Sequence, residues 1–241
     1  MAITTLRVLI PIILGSLIIQ TTYAIEAGRA DYDLDDDGLI EINSLADLNE
    51  IRNNLDGTSL YGDSTGCPVD GCIGFELTTA LDFDTNADGV MDANDTYWND
   101  GAGWIPIASS STPFTSTFDG NGHQIRNLYI NRSSTDYIGL FGAISGESAQ
   151  LRNLGLTGAL MRVVGDDYVG GLAGYANNAA IIEQSYVTGA VSGLSSVGGL
   201  VGNLYSSAIN NSYATGAVTG DRYVGGLTGR NSNSAINKSL A

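Results

Sequence analysis

The segment Tyr168-Val169-Gly170-Gly171-Leu172-Ala173-Gly174 returns as Val197-Gly198-Gly199-Leu200-Val201-Gly202 and again as Tyr223-Val224-Gly225-Gly226-Leu227-Thr228-Gly229. A second segment follows each copy: Ser185-Tyr186-Val187-Thr188-Gly189-Ala190-Val191, then Ser212-Tyr213-Ala214-Thr215-Gly216-Ala217-Val218, then Ser239-Leu240-Ala241. Fainter copies precede them in Tyr137-Ile138-Gly139-Leu140-Phe141-Gly142 with Leu151-Arg152-Asn153-Leu154-Gly155-Leu156, and in Ile125-Arg126-Asn127-Leu128-Tyr129-Ile130. Aligned on Asn127, Asn153, Gln184, Asn211 and Lys238, the rungs are spaced 26, 31, 27 and 27 residues. Such a period, built of short apolar runs and glycine turns with no helical stretch, predicts an all-β solenoid in which each repeat is one coil stacked on the last. Coils stack about 4.8 Å apart, so five rungs predict a column of roughly 20 Å. Leu172, Leu200 and Leu227 then form an internal ladder, Tyr186 and Tyr213 a second, and Asn153, Gln184 and Asn211 a third. The expected form is a right-handed parallel β-helix with an N-terminal capping helix and calcium-binding loops.

The chain has 241 residues, 26 Asp plus Glu against 10 Lys plus Arg, and a formal net charge of −16. Such a polyanion excludes binding to nucleic acid through its phosphates. A hydrophobic share of 43% supports a folded core, and 32 Gly against 4 Pro point to many tight turns. The single histidine, His123, and the two cysteines, Cys67 and Cys72, exclude a histidine-rich centre and a zinc site of four Cys or His ligands. At the N-terminus, Arg7 precedes an apolar run from Val8 to Ile19 and a polar stretch ending at Ala24. That order predicts a cleavable export signal over residues 1–24, the run being too short for the roughly 20 residues of a membrane span. No membrane span is expected after its removal, and the mature chain is expected to be secreted or held at the cell surface.

Charge is uneven: Glu26 to Asp119 carries 20 acids and 2 bases, Gly120 to Ala241 carries 6 acids and 7 bases. The acids therefore have a local task in the first half, and calcium binding is the obvious one. The stretch from Asp84 to Asp95 reproduces a twelve-residue calcium loop, with oxygen donors from Asp84, Asn86, Asp88, Asp92 and Asp95. Gly89 stands at the sharp turn and Val90 offers its carbonyl. A second stretch places Asp33, Asp35 and Asp37 at positions 1, 3 and 5, Gly38 at 6, Leu39 at the carbonyl position 7 and Glu41 at 9. Its position 12 is Ser44, a poor last ligand, and the missing carboxylate is sought at Asp31, Asp47 or elsewhere in the fold. Hard oxygen donors of this kind select Ca²⁺ over softer metals.

Between the loops, Ser44 to about Leu55 reads as a helix, with Ser44 as N-cap, Asp47 at N3, and Leu45, Leu48, Ile51 and Leu55 on one face. It is expected to cover the end of the sheet stack. Outside the cytosol, Cys67 and Cys72 are expected to form a local disulfide, because Pro68 and Asp70-Gly71 favour a turn between them. The expected organisation is a signal segment at 1–24, an acidic loop with capping helix at 25–60, a disulfide and calcium-loop segment at 61–117, and a solenoid at 118–241. Its repeats are expected at 137–167, 168–196, 197–222 and, incomplete, 223–241.

The Val-Gly-Gly-Leu-x-Gly segments followed by Asn-Ser-Tyr-Ala-Thr-Gly resemble the GLUG repeat of bacterial secreted and surface proteins, including adhesins and regions accompanying immunoglobulin A peptidases. The resemblance covers about Tyr137 to Ala241. Upstream, Phe118 to Leu128 looks like the entry segment of such repeats and is similar to early coils of pectin-lyase-like β-helices. The resemblance implies an adhesin-like module with an extracellular ligand such as a glycan, matrix or cell-surface protein. It supplies no catalytic motif, and the H-E-x-x-H of a zinc peptidase is absent. The alternative is a polysaccharide lyase or glycoside hydrolase, with Asp82, Asp84 and Asp119 as carboxylates and His123, Arg126 or Arg132 near them. The chain stops within a rung, and an uncapped coil is expected to expose a strand edge open to end-to-end self-association.

Overall fold

The computed structural model describes residues 29–241, so the expected export signal lies outside the described residues. From Leu39 onward the chain winds through short strands that pair only in parallel with their sheet neighbours, forming sheets of seven, five, four, four and three strands. One regular coil runs Ile181–Glu183, Tyr186–Val187, Ala190–Ser192, Ser195–Gly198 and Val201–Tyr205, each strand in its own sheet. The next coil begins with Ala208–Asn210 directly over Ile181–Glu183. Strands of two to five residues suffice because each needs only one or two inward side chains to fill the column.

Like lies on like. Ile182 pairs with Ile209, Val191 with Val218 and Val197 with Val224. The leucine ladder is present and continuous: the Leu172 N–H donates to the Leu200 carbonyl at 2.9 Å and the Leu200 N–H to that of Leu227 at 2.9 Å. Leu140, Leu172 and Leu200 are fully buried in the column. The tyrosine ladder is present too, with the Tyr186 and Tyr213 rings 4.9 Å apart and 8° from parallel. Asn153, Gln184, Asn211 and Lys238 stack as corners rather than as a side-chain ladder, each with a left-handed φ between 48° and 52°.

Two expectations are corrected. Asn127 does not belong to that corner: Phe118 pairs with Leu151 and Ile125 with Leu156, so Asn153 lies over Gly120 while Asn127 lies under Gly158. Ile125-Arg126-Asn127-Leu128 resembles Leu151-Arg152-Asn153-Leu154 because both follow a short strand with a left-handed Asn corner and then a buried Leu. Two different corners of the coil thus share one local solution. Second, the stack begins well before residue 118. The seven-stranded sheet opens with Leu39–Ile42, continues through Gly74–Leu77 to Thr117–Asp119, and one apolar core runs from Tyr32 to Leu227.

The helix spans Leu45–Glu50 and tightens into a 3-10 turn at Ile51–Asn53, shorter than the expected run to Leu55. Ser44 caps it, its hydroxyl accepting from the Asp47 N–H at 3.1 Å. Leu48 and Ile51 are fully buried, and the exit of the chain toward Gly57 ends the helical path. Cys67 and Cys72 are joined, with Cα atoms 5.2 Å apart. So short a loop contributes about 2 kcal/mol in the chain-entropy view, enough to fix one turn beside the acidic loop. Among the described residues no helix is long and apolar enough to cross a membrane.

Candidate metal centre

Outward positions of the first sheet carry Ile40-Glu41-Ile42, Phe75-Glu76-Leu77 and Phe118-Asp119 in register. The apolar neighbours point into the column and are fully buried, which turns each acid outward and stacks Glu41 on Glu76 and Glu76 on Asp119. The next residue in the row is Arg152, whose Nε donates to Asp119 Oδ2 at 2.7 Å. Three carboxylates thus stand on successive coils; Arg152 pairs with the carboxylate at one end, while at the other Arg29 donates to the Glu41 carbonyl at 2.7 Å and pairs with Asp47.

The loop from Asp31 to Gly38 folds back over the free end of this row. Its Asp33 accepts from the Asp37 N–H at 3.1 Å on Oδ1 and from the Gly38 N–H at 2.9 Å on Oδ2, and Asp37 Oδ1 accepts from the Leu39 N–H at 2.8 Å. Asp36, with φ 59°, and Gly38, with φ 88°, make the turn. The result covers Glu41, which is 4% exposed, and Glu76, which is 6% exposed. Oxygens of Asp33, Asp35 and Asp37 lie within 4.8 Å of one another, and so do oxygens of Asp35, Glu41 and Glu76. Asp35 belongs to both groups, which are otherwise separate at that distance. Leu39 opens the strand Leu39–Ile42, directly after Asp37 and Gly38.

The Asp84 loop has the same local build. Asp84 accepts from the Asp88 N–H at 3.2 Å and the Gly89 N–H at 2.9 Å, Asp88 Oδ1 accepts from the Val90 N–H at 2.9 Å, and Ala87 and Gly89 take φ of 57° and 81°. Asp95 is turned differently: it is buried, and its oxygens accept from the Thr85 N–H at 2.7 Å and the Asp92 N–H at 2.9 Å. Asn86 donates to Asp88 Oδ2 at 2.9 Å, Asp92 Oδ1 accepts from the Asn94 N–H at 2.8 Å, and Val90 is exposed. Among the described residues, three acids gathered within 4.8 Å occur at the first loop and not at this one.

Glu76 lies outside the loop pattern and is brought beside it by the fold. The signal for it lies in the apolar-acid-apolar triplets at Glu41 and Glu76, which share an outward position on neighbouring coils. Asp31 and Asp47, the loop's other expected suppliers, are engaged: Asp31 Oδ1 accepts from the Asp33 N–H, and Asp47 binds Arg29, the Tyr61 hydroxyl and the Asn43 N–H.

Burial pushes the Glu76 carboxyl up to about 7, and the charges of Asp37, Asp35, Glu41 and Asp119 push the same way. Glu41 and Asp33 are also raised, by burial first, against the N–H bonds from Leu34 to Glu41 and from Gly38 and Asp37 to Asp33. A carboxyl raised on folding holds its proton more tightly when folded, so its stabilisation is complete below the unfolded value and is lost as pH rises through the folded one. In chelator, the melting temperature is therefore expected to fall as pH rises from 4.5 to 7. Glu76→Gln should flatten that fall; an unchanged slope in the variant would remove Glu76 as its source.

The strand residues of the polysaccharide-cleaving alternative fall on two different sheets. Asp82 pairs in register with Arg126 and accepts from Asn127 Nδ2 at 2.8 Å, whereas Asp119 stands in the other sheet, bound to Arg152 and Asn153. Arg132 donates to the carbonyls of Trp104 and Gly103. His123 sits in the turn between the two sheets, its N–H donating to the Gly120 carbonyl at 2.7 Å.

Comparison with known proteins returns the GLUG motif at residues 165–192 and 193–219. Halomucin of Haloquadratum walsbyi is 38% identical over 172 residues, 64% of this chain and 2% of that protein. A protein of Evansella cellulosilytica described as a Gly-rich membrane protein is 44% identical over 85 residues, 35% of this chain and 10% of its own length. A Bacteroides ovatus crystal structure described as a candidate immunoglobulin A1 protease covers 83% of this chain and 77% of its own, at 17% identity and a TM-score of 0.36. The chain thus spans a small fraction of the length of the relatives whose sequences it shares. Both GLUG motifs fall inside the regular coils of a chain that folds as a parallel β-solenoid.

Proposed function

We propose that this protein is an exported, calcium-stabilised solenoid that works outside the cell as an adhesin-like binding or structural module. Its ligand is a glycan, a matrix component or a cell-surface protein. The observation that carries the reading is the repeating outer surface. Tyr137 stacks on Tyr168 at 4.9 Å and 13°, and Tyr186 on Tyr213 at 4.9 Å and 8°, so flat aromatic faces recur on a parallel stack whose backbone is fixed coil by coil. Half-buried tyrosines of this kind combine an apolar face with a polar tip, the combination that recurs at binding surfaces. The names of the two sequence relatives, Halomucin and a Gly-rich membrane protein, support a place outside the cytoplasm. The oxygens gathered at the Asp33 to Glu41 loop support calcium binding at the N-terminal end.

The test is a glycan and matrix-protein array probed with the mature chain, once with Ca²⁺ and once with chelator. Calcium-dependent binding that weakens at least tenfold in a Tyr186→Ala, Tyr213→Ala double variant of unchanged melting temperature is expected. Silence on the whole array in both buffers would sink the binding role and leave a structural one.

A further inference from the structure

The Asp33 to Glu41 loop supplies donors at five calcium-loop positions but ends on Ser44, and the structure shows Ser44 occupied as the helix cap, its hydroxyl 3.1 Å from the Asp47 nitrogen. The loop therefore lacks its final, bidentate carboxylate. On the next coil, Glu76 lies in register with Glu41 and brings an oxygen within 4.8 Å of both Asp35 and Glu41. Glu76 is separated from Glu41 by a whole coil of chain, so no linear motif contains both.

A cluster of acids is common at surfaces without any ion, but here a second observation points to a ligand. Glu41 is 4% exposed, and its two oxygens are not equal: Oε1 accepts from the Leu34 N–H at 2.5 Å, while Oε2, among the described residues, has no hydrogen-bond partner. An ionised oxygen buried without a partner is costly, and stacking it one coil from another carboxylate adds repulsion. The far end of the same row shows how the fold relieves that cost elsewhere, for Asp119 receives Arg152 at 2.7 Å and Asn153 at 3.0 Å. Glu76 receives one neutral donor, Asn121 Nδ2 at 3.1 Å on Oε2. At the Glu41 end, Arg29 donates to the Glu41 main-chain carbonyl at 2.7 Å and pairs with Asp47, and among the described residues Glu41 Oε2 stays without a donor.

We propose that Glu76 is the terminal ligand of a calcium site whose other ligands are Asp33, Asp35, Asp37 and Glu41, so that one ion ties the N-terminal loop to the second coil of the solenoid. The inference rests on the calcium reading of the Asp33 to Glu41 loop and deepens it by making the site tertiary. Carboxylates from the loop and two strands, in two groups that share Asp35, suit the six to eight oxygens and adaptable geometry of Ca²⁺, and suit less well the strict octahedron of Mg²⁺. The ion would also take the place at Glu41 and Glu76 that Arg152 takes at Asp119. Cation binding then pins the covering loop to the first two strands of the seven-stranded sheet.

The experiment is calorimetric titration of Ca²⁺ into the chelated mature chain, Ile25 to Ala241, carrying Asp84→Ala and Asp88→Ala so that the second loop contributes no heat. Glu76→Gln and, as a control on the same outward row, Glu183→Gln are added singly to that parent. Glu76→Gln is expected to weaken Ca²⁺ at least tenfold and to remove more than half of the calcium-induced rise in melting temperature, while Glu183→Gln leaves both within twofold. In chelator, Glu76→Gln is expected to melt above its parent, because it removes one of the stacked charges; this keeps a folding defect from imitating a lost ligand. Equal affinity in Glu76→Gln and parent, or an equal loss in Glu183→Gln, would overturn the ligand assignment while the loop reading stands. A parent that takes up no Ca²⁺ would overturn the loop reading and this inference together.

Discussion

Gly202→Val is expected to leave no folded protein in the soluble fraction. Gly202 lies in Val201–Tyr205, held between Ala173–Asn177 on one coil and Thr228–Ser232 on the next. A Cβ at this position would stand 2.4 Å from the Val169 nitrogen, 2.5 Å from the Tyr168 carbonyl carbon and 2.6 Å from the Gly174 oxygen. All three are main-chain atoms, and Val169 is itself paired with Ile138 and Val197 in the stack, so no side chain can rotate away to make room. Overpacking that side chains can absorb costs about 1–3 kcal/mol; against fixed backbone a branched side chain should exceed about 3 kcal/mol. Each coil touches only its neighbours, so a coil forced out of register also exposes the edges above and below it, which favours aggregation over a frayed monomer. Ala190→Val, at an exposed outward position of Ala190–Ser192, should change stability by no more than about 0.5 kcal/mol. Soluble yield and a circular-dichroism melt read the result, and a Gly202→Val protein that melts within about 3 °C of the parent would show that the coils are not in the described contact.

That glycine also shows why the regular coils were legible in the sequence. Where two coils have the same length, position determines neighbour, and Leu172, Leu200 and Leu227 must meet if any one of them does. The irregular coils break that rule. From Phe75 to Phe118 the chain spends 43 residues on one turn, from Phe118 to Leu151 it spends 33, and from Ile182 to Ile209 only 27. A repeat search that tolerates little variation in length therefore slides Asn127 onto the wrong corner, where the local sequence looks right.

The same irregularity hides Glu76. The twelve-residue loop pattern is local, and it ranks the Asp84 loop well because Asp95 fills the last position on paper. In three dimensions Asp95 is spent on the N–H groups of Thr85 and Asp92, while the loop with the gap gathers carboxylates through its neighbour. The geometry that brings Glu76 beside the first loop is the register of Leu39–Ile42 with Gly74–Leu77, which spans 35 residues of chain with no repeat to announce it. The disulfide and the helix cap, by contrast, are set by partners within a few residues, and both were readable.

Trp104→Ala is the second large effect, and it tests whether the irregular N-terminal coils share one cooperative core with the repeats. Trp104 is fully buried, with the Phe83 ring 5.2 Å and the Tyr97 ring 5.1 Å away, each at 73° or 72°, and the Arg52 guanidinium 5.1 Å over its own ring. It thereby joins the helix end, the Asp84 loop and the first regular coil, which it reaches through Nε1 to the Leu140 carbonyl at 3.3 Å. Truncating a buried Trp costs about 3–5 kcal/mol, and the two edge-on ring contacts put this site at the upper end. Loss of the indole donor adds little, because the Leu140 carbonyl keeps the Ile107 N–H at 2.9 Å. At about 2–4 °C per kcal/mol for a chain of this size, the melting temperature should fall by about 10–20 °C in one transition. Trp104→Phe, which keeps an aromatic edge for Phe83 and Tyr97, should recover about half of the loss. A fall of less than about 5 °C, or two separate transitions with the repeat coils melting at the parent temperature, would mean that the acidic half and the repeats fold as independent units. The single core requires that they go together, since the same ring that closes over the Asp84 loop rests on the backbone of the coil carrying the leucine ladder.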